Sequence, residues 1–131
     1  MNTARIAENI KMTILEFVND LKDGIFTEPS DQGELLIVEF AFSKMNNSTI
    51  AEHVVSRILP HKENIKNRKI QFFVDNQGEI FRGLPKDRVE YFSNLIGRAP
   101  DEGGLADDDK IAIWKYFDTL ILLAEAYKKK K

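Results

Sequence analysis

The C-terminal segment, from about Ala106 to Lys128, carries the feature that most constrains the fold. Its apolar residues recur at intervals of three and four, which places them on one face of an α-helix. Acidic residues crowd its first turn and lysines its last turn, as the helix dipole favours. A helix of this length extends about 35 Å and can cross a whole domain. The stripe consists of Ile113, Phe117, Leu120, Ala124 and Tyr127, with Trp114, Ile121 and Leu122 extending it.

The N-terminal segment shows the same helical period. We predict that Asn2 or Thr3 begins this helix and that Asp23-Gly24 ends it. Its apolar stripe, which Leu15 and Val18 widen, consists of Ile6, Ile10, Ile14, Phe17 and Leu21.

A further helix is predicted over Ile50 to Leu59. Thr49 with Glu52 has the form of a capping box that begins it, and Pro60 ends it because proline cannot continue a helix. The loop before it is Met45 to Ser48. The residues predicted for its inner face are Val54, Val55, Ile58 and Leu59.

The segment from Glu34 to Lys44 has a period that does not separate helix from strand. A buried strand accommodates Ile37, Val38 and Phe40, whereas Glu39 interrupts strict alternation. Asp31, with Glu34 three residues later, has the form of a second capping box. We therefore predict a buried helix, and a buried strand is the alternative.

Helical patterns also occupy residues 62–75, 79–82 and 85–97, and the loop at 98–104 separates them from the last helix. A chain of 131 residues suits one domain. The sequence thus predicts an all-α fold, a single compact domain over residues 1–131. The domain contains about six helices, arranged around the long C-terminal one, and the chain closes on a basic end at residues 124–131.

No catalytic or metal-binding constellation is recognisable. The chain has no cysteine, which excludes disulfides, thiolate metal ligands and a cysteine nucleophile. His53 and His61 lack further ligands at zinc-site spacing. The triplet Asp107 to Asp109 suits a helix N-terminus better than a cation site. We predict a protein that is not an enzyme and carries no cofactor or metal.

Two further features bear on location. The N-terminus lacks the apolar core of a signal peptide. No apolar run approaches the roughly 20 residues that span a bilayer. These features predict a chain that is neither secreted nor membrane-spanning.

A basic patch, defined by four residues in one segment, raises the question of nucleic acid. The net charge of −2 opposes a strong attraction to phosphate, so a solvated helix face is the simpler interpretation and any binding is expected to be weak. The patch consists of Lys62, Lys66, Arg68 and Lys69, with Phe72 and Phe73 nearby.

Trp114 lies at the edge of the apolar stripe of the C-terminal helix, where it either completes the core or contacts a partner.

Three stretches carry a resemblance to a known group. They are Leu59 to Arg68 followed by Phe72-Phe73, then Asn76 to Phe81 leading to Gly83-Leu84-Pro85, and finally Asp109 to Ala124. Together they resemble small helical proteins encoded by large nucleocytoplasmic DNA viruses, such as chloroviruses, over about residues 50–124.

The resemblance implies a viral protein located in the cytoplasm of the infected host cell or in the virion. It transfers no catalytic residues. It implies a non-enzymatic structural or interaction role with a viral protein partner, such as a minor capsid or capsid-associated component. The alternative is a viral regulator that associates with nucleic acid or binds a host factor.

Overall fold

The structure, a computed structural model, describes residues 2–26, 28–69, 87, 90, 94, 100–102 and 104–130. These residues contain helices and turns and no strand, which confirms the all-α prediction. The helical pattern predicted over 62–75 ends already at Lys66. The pattern at 79–82 and most of that at 85–97 lie outside the described ranges, so the count of about six stays a prediction. The described α-helices are α1 (Thr3–Asp20), α2 (Pro29–Lys44), α3 (Asn47–Arg57), the short α4 (Lys62–Lys66) and α5 (Asp107–Lys130).

The start of α1 is as predicted. The side chain of Asn2 caps the helix, because its Oδ1 accepts the Arg5 backbone N–H at 2.8 Å. The regular helix ends slightly earlier than predicted, at Asp20, and a π-helical turn over Leu21–Ile25 follows. This turn brings Phe26 into the core, where it is buried.

The segment from Glu34 to Lys44, for which the sequence allowed a helix or a strand, is helical and belongs to α2. The predicted capping box is wrong, because α2 begins at Pro29 with Glu28 as its N-cap, and Asp31 already lies inside the first turn. Proline favours the first helical position, since its fixed φ suits the helix and its missing N–H costs no bond there. The prediction that this helix is buried is also wrong, because only Asp31 and Leu35 are buried among its 16 residues.

The start of α3 differs in the same way. The Thr49 backbone N–H donates to Oδ1 of Asn46 at 2.8 Å, so Asn46 caps the helix and the predicted box led by Thr49 is wrong. Asparagine is a better N-cap than threonine. The predicted inner face is confirmed for Val54 and Ile58, which are buried, whereas Val55 and Leu59 are partly buried.

The core lies where α1, α3 and α5 meet. The predicted stripe of α5 is confirmed from Ile113 to Tyr127, with Trp114 and Ile121 also buried. The prediction that Leu122 extends this buried stripe is wrong, since 69% of the residue is exposed. At about 100° per residue, it lies on the side of the helix opposite Leu120. Helix α1 packs against α2, α3 and α5. It therefore shares the central position that the sequence predicted for the C-terminal helix.

Candidate protein-interaction surface

Helix α2 is apolar on two opposite sides. On the side facing α1, Leu35 is buried and Val38 and Phe42 are partly buried. On the other side, the exposed fractions are 53% for Leu36, 67% for Ile37 and 62% for Phe40. Residues two apart lie about 200° apart around a helix. Packing against a single neighbour therefore cannot bury both sides, and the second side remains outside the core formed by the described residues.

We call this second side the α2 face. Its positions follow helical spacing, and its large apolar side chains are flanked by two small residues and one lysine. The Lys44 amine lies 5.1 Å from the centre of the Phe40 ring, a cation–π arrangement. The α2 face consists of Gly33, Leu36, Ile37, Phe40, Ala41 and Lys44, all exposed.

Polar contacts hold α2 in this orientation. The Lys11 amine donates to the carbonyl oxygens of Ser43, at 3.0 Å, and Met45, at 2.7 Å. A cation at the C-terminal end of a helix satisfies unpaired carbonyls and complements the dipole. Near the other end, the Gln32 side chain donates to the Lys22 carbonyl at 3.1 Å. These contacts lie towards α1 and leave the α2 face outward.

Other exposed large apolar residues do not form a comparable surface. Among the described residues, Met12, Ile111 and Leu122 are also more than half exposed. Met12 lies on α1, and the two residues on α5 are eleven positions apart. Single exposed apolar side chains are ordinary on protein surfaces, whereas a contiguous group marks an interaction site. The α2 face is therefore the candidate site.

The predicted basic patch is partly neutralised by α5. The Lys62 amine lies 3.1 Å from Oε2 of Glu125. The two terminal nitrogens of the Arg68 guanidinium donate to the two carboxylate oxygens of Asp118, at 2.8 and 2.7 Å. This hydrogen bonding raises the pKa of Arg68 above its ordinary value. Lys66 and Lys69 are exposed, so two of the four residues of the patch are paired with acids of α5.

Arg68 also ends α4 in a conformation that usually favours glycine. Its φ of 55° is left-handed. The Lys69 N–H donates to the Asn64 carbonyl and the Arg68 N–H to the Ile65 carbonyl, which together form a Schellman motif. The Arg68 guanidinium lies 5.3 Å from the centre of the Trp114 ring. Arg68 thus joins α4 to α5.

Trp114 lies in the core beneath this arginine. It is 8% exposed, and its ring centre is 6.1 Å from that of Phe117. Of the two roles considered for Trp114, the structure shows that it completes the core. A contact between Trp114 and a partner stays a prediction.

Two observations concern the titratable groups of the described residues. No group of three or more potential metal ligands occurs among them. The Tyr116 hydroxyl donates to the Asp20 carboxylate, and its ring stacks on Phe17 with centres 4.8 Å apart. Desolvation, followed by the hydrogen bond to Asp20, raises the pKa of Tyr116 well above its usual value. The contact joins α1 to α5.

No family model, curated protein or solved structure matches this chain. Within the described part of the chain, no helix is long and apolar enough to cross a membrane.

Gly33 provides a first prediction for the α2 face. A Cβ added at Gly33 would meet no atom within 4 Å, and glycine inside a helix is less favourable than alanine by about 1 kcal/mol. We expect Gly33→Ala to raise the free energy of unfolding by about 0.5–1 kcal/mol, measured by urea denaturation of dilute protein. A loss of stability would mean that another part of the chain approaches Gly33.

Proposed function

We propose that this protein is a non-enzymatic binding module that recognises another protein through the α2 face. The observation that carries the proposal is the exposure of Leu36, Ile37 and Phe40, which lie within little more than one helical turn. Covering apolar surface is favourable by about 25 cal/mol per Å². Aromatic residues are also enriched where proteins bind one another.

A photo-crosslinking amino acid at position 37 tests this proposal in the cells that make the protein. We expect a discrete crosslinked protein product from position 37, either with another protein or with a second copy. The matched control is position 115, since Lys115 is exposed on α5 and lies outside the α2 face. Equal products from both positions, or none from position 37, would contradict the proposal.

We also propose a viral setting, supported by the sequence resemblance over residues 50–124 alone. In that setting, the module is a minor capsid or capsid-associated component and its partner is a viral protein. Quantitative mass spectrometry of purified particles tests this role. We expect a fixed copy number per particle, whereas absence from particles would favour the regulatory alternative.

The alternative function, binding of nucleic acid, yields a second prediction. Two of the four patch residues are paired with acids of α5, so we expect duplex DNA to bind weakly and to dissociate as salt approaches physiological concentration. Fluorescence anisotropy across a salt series measures this. Submicromolar affinity at about 150 mM salt, abolished by Lys66→Glu with Lys69→Glu, would favour nucleic acid as the partner.

A further inference from the structure

We propose that the α2 face binds the same face of a second copy of this chain, with the two α2 helices antiparallel about a two-fold axis. This inference rests on the proposed function and names its partner. Two-fold homodimers are the commonest soluble oligomers, and their interfaces must be self-complementary. The spacing, charge and side-chain sizes along α2 meet that requirement.

The spacing along the face defines the register. With the axis between residues 38 and 39, Ile37 lies opposite Phe40 of the second copy. Leu36 then lies opposite Ala41, which combines a large side chain with a small one. Gly33 lies opposite Lys44. Every position of the α2 face thus meets another position of the same face, and each pairing occurs twice.

The charges on α2 favour the antiparallel direction. Glu34 lies in the N-terminal half of the helix and Lys44 at its C-terminal end. In the antiparallel register, Lys44 of each copy lies beside Glu34 of the other. A parallel pair would instead place lysine beside lysine and glutamate beside glutamate, which is unfavourable. The opposed helix dipoles also favour the antiparallel pair.

Gly33 suits the close approach of a second helix. No close neighbour within the described chain requires glycine at this position, because a Cβ there would meet no atom within 4 Å. Across the proposed interface, the same gap accommodates the long aliphatic stem of Lys44. Small residues at helix–helix contacts let the two backbones lie closer together.

The size of the face predicts a weak dimer. A helix of 16 residues extends about 24 Å, and one side of it presents less than the roughly 800 Å² per partner of a standard interface. We therefore expect monomer and dimer to exchange with concentration.

Analytical ultracentrifugation of the purified chain over a concentration series tests the dimer. We expect the mean mass to rise towards twice the monomer mass, and Leu36→Lys to keep the protein monomeric. The matched control is Leu122→Lys, because Leu122 is also an exposed leucine on a helix. Its exposed fraction is 69%, and that of Leu36 is 53%. A wild-type chain that stays monomeric up to about 1 mM would overturn the inference, as would an equal response to both variants.

Engineered cysteines test the direction, because the natural chain has none. We expect Gly33→Cys mixed with Lys44→Cys to form a crosslinked dimer with a short thiol-reactive linker. Gly33→Cys alone should not, since the two copies of position 33 would be eleven residues, about 16 Å, apart along the axis. Crosslinking of Gly33→Cys alone, without the mixed product, would indicate a parallel pair and overturn the register.

The two proposals fail in different ways. A purified chain that is monomeric, but whose position 37 crosslinks to a different protein in cells, overturns the dimer and leaves the proposed function standing. A monomeric chain with no product at position 37 overturns both.

Discussion

Phe117→Ala is expected to lower the free energy of unfolding by about 3–5 kcal/mol, through lost apolar transfer and the cavity that remains. Phe117 is 5% exposed and lies on the side of α5 that faces α1. Its ring meets that of Phe17 edge-on, with centres 5.8 Å apart, and also neighbours Trp114. Chemical denaturation followed by circular dichroism measures the loss.

The matched control is Lys115→Ala, two residues earlier on the exposed side of α5. We expect it to change the free energy of unfolding by less than about 0.5 kcal/mol. A domain of this size has only about 5–15 kcal/mol in total, so Phe117→Ala removes a large fraction. If the two variants unfold at the same midpoint, the packing of α5 against α1 is wrong.

Ile10→Ala is expected to cost about 2–5 kcal/mol for the same physical reasons. Ile10 is completely buried on the central helix α1, which packs against α2, α3 and α5. The cavity would therefore open where several helices meet. Thermal and urea denaturation measure the loss.

Met12→Ala is the control on the same helix, since Met12 is 57% exposed. We expect little change, because alanine favours the helix and little buried area is lost. A loss at Met12 equal to that at Ile10 would contradict the orientation of α1.

The helical period was sufficient to predict three of the long helices. In α1, α3 and α5, apolar residues at intervals of three and four meet a core on one side only, so the pattern identifies both the helix and its buried face. The exception, Leu122, shows the limit of the pattern: an apolar residue next to the stripe can still lie outside the core.

The caps were harder to predict because several residues compete for one position. At the start of α3, Asn46 and Thr49 both suit an N-cap. At the start of α2, Asp31 suits one as well, although Pro29 lies two residues before it. The choice depends on where the preceding turn leaves the chain. Short-range patterns do not contain that information.

The candidate site could not be predicted, because α2 is apolar on both sides. A helix that is apolar all round is ordinarily buried, which led to the wrong expectation for Leu36, Ile37 and Phe40. Their exposure follows from the packing of α2 against α1. The pairing of Arg68 with Asp118 was equally hidden, because the two residues are 50 positions apart in the sequence.

The most direct test of the α2 face as a binding surface is the stability of the triple variant Leu36→Gln, Ile37→Gln and Phe40→Gln. Glutamine preserves helix propensity while removing the apolar surface. Measured by urea denaturation of dilute, monomeric protein, the free energy of unfolding should stay within about 1 kcal/mol of the natural chain, because surface substitutions cost little. A loss of several kcal/mol would show that the chain itself covers these three residues, and would contradict their role in binding another protein.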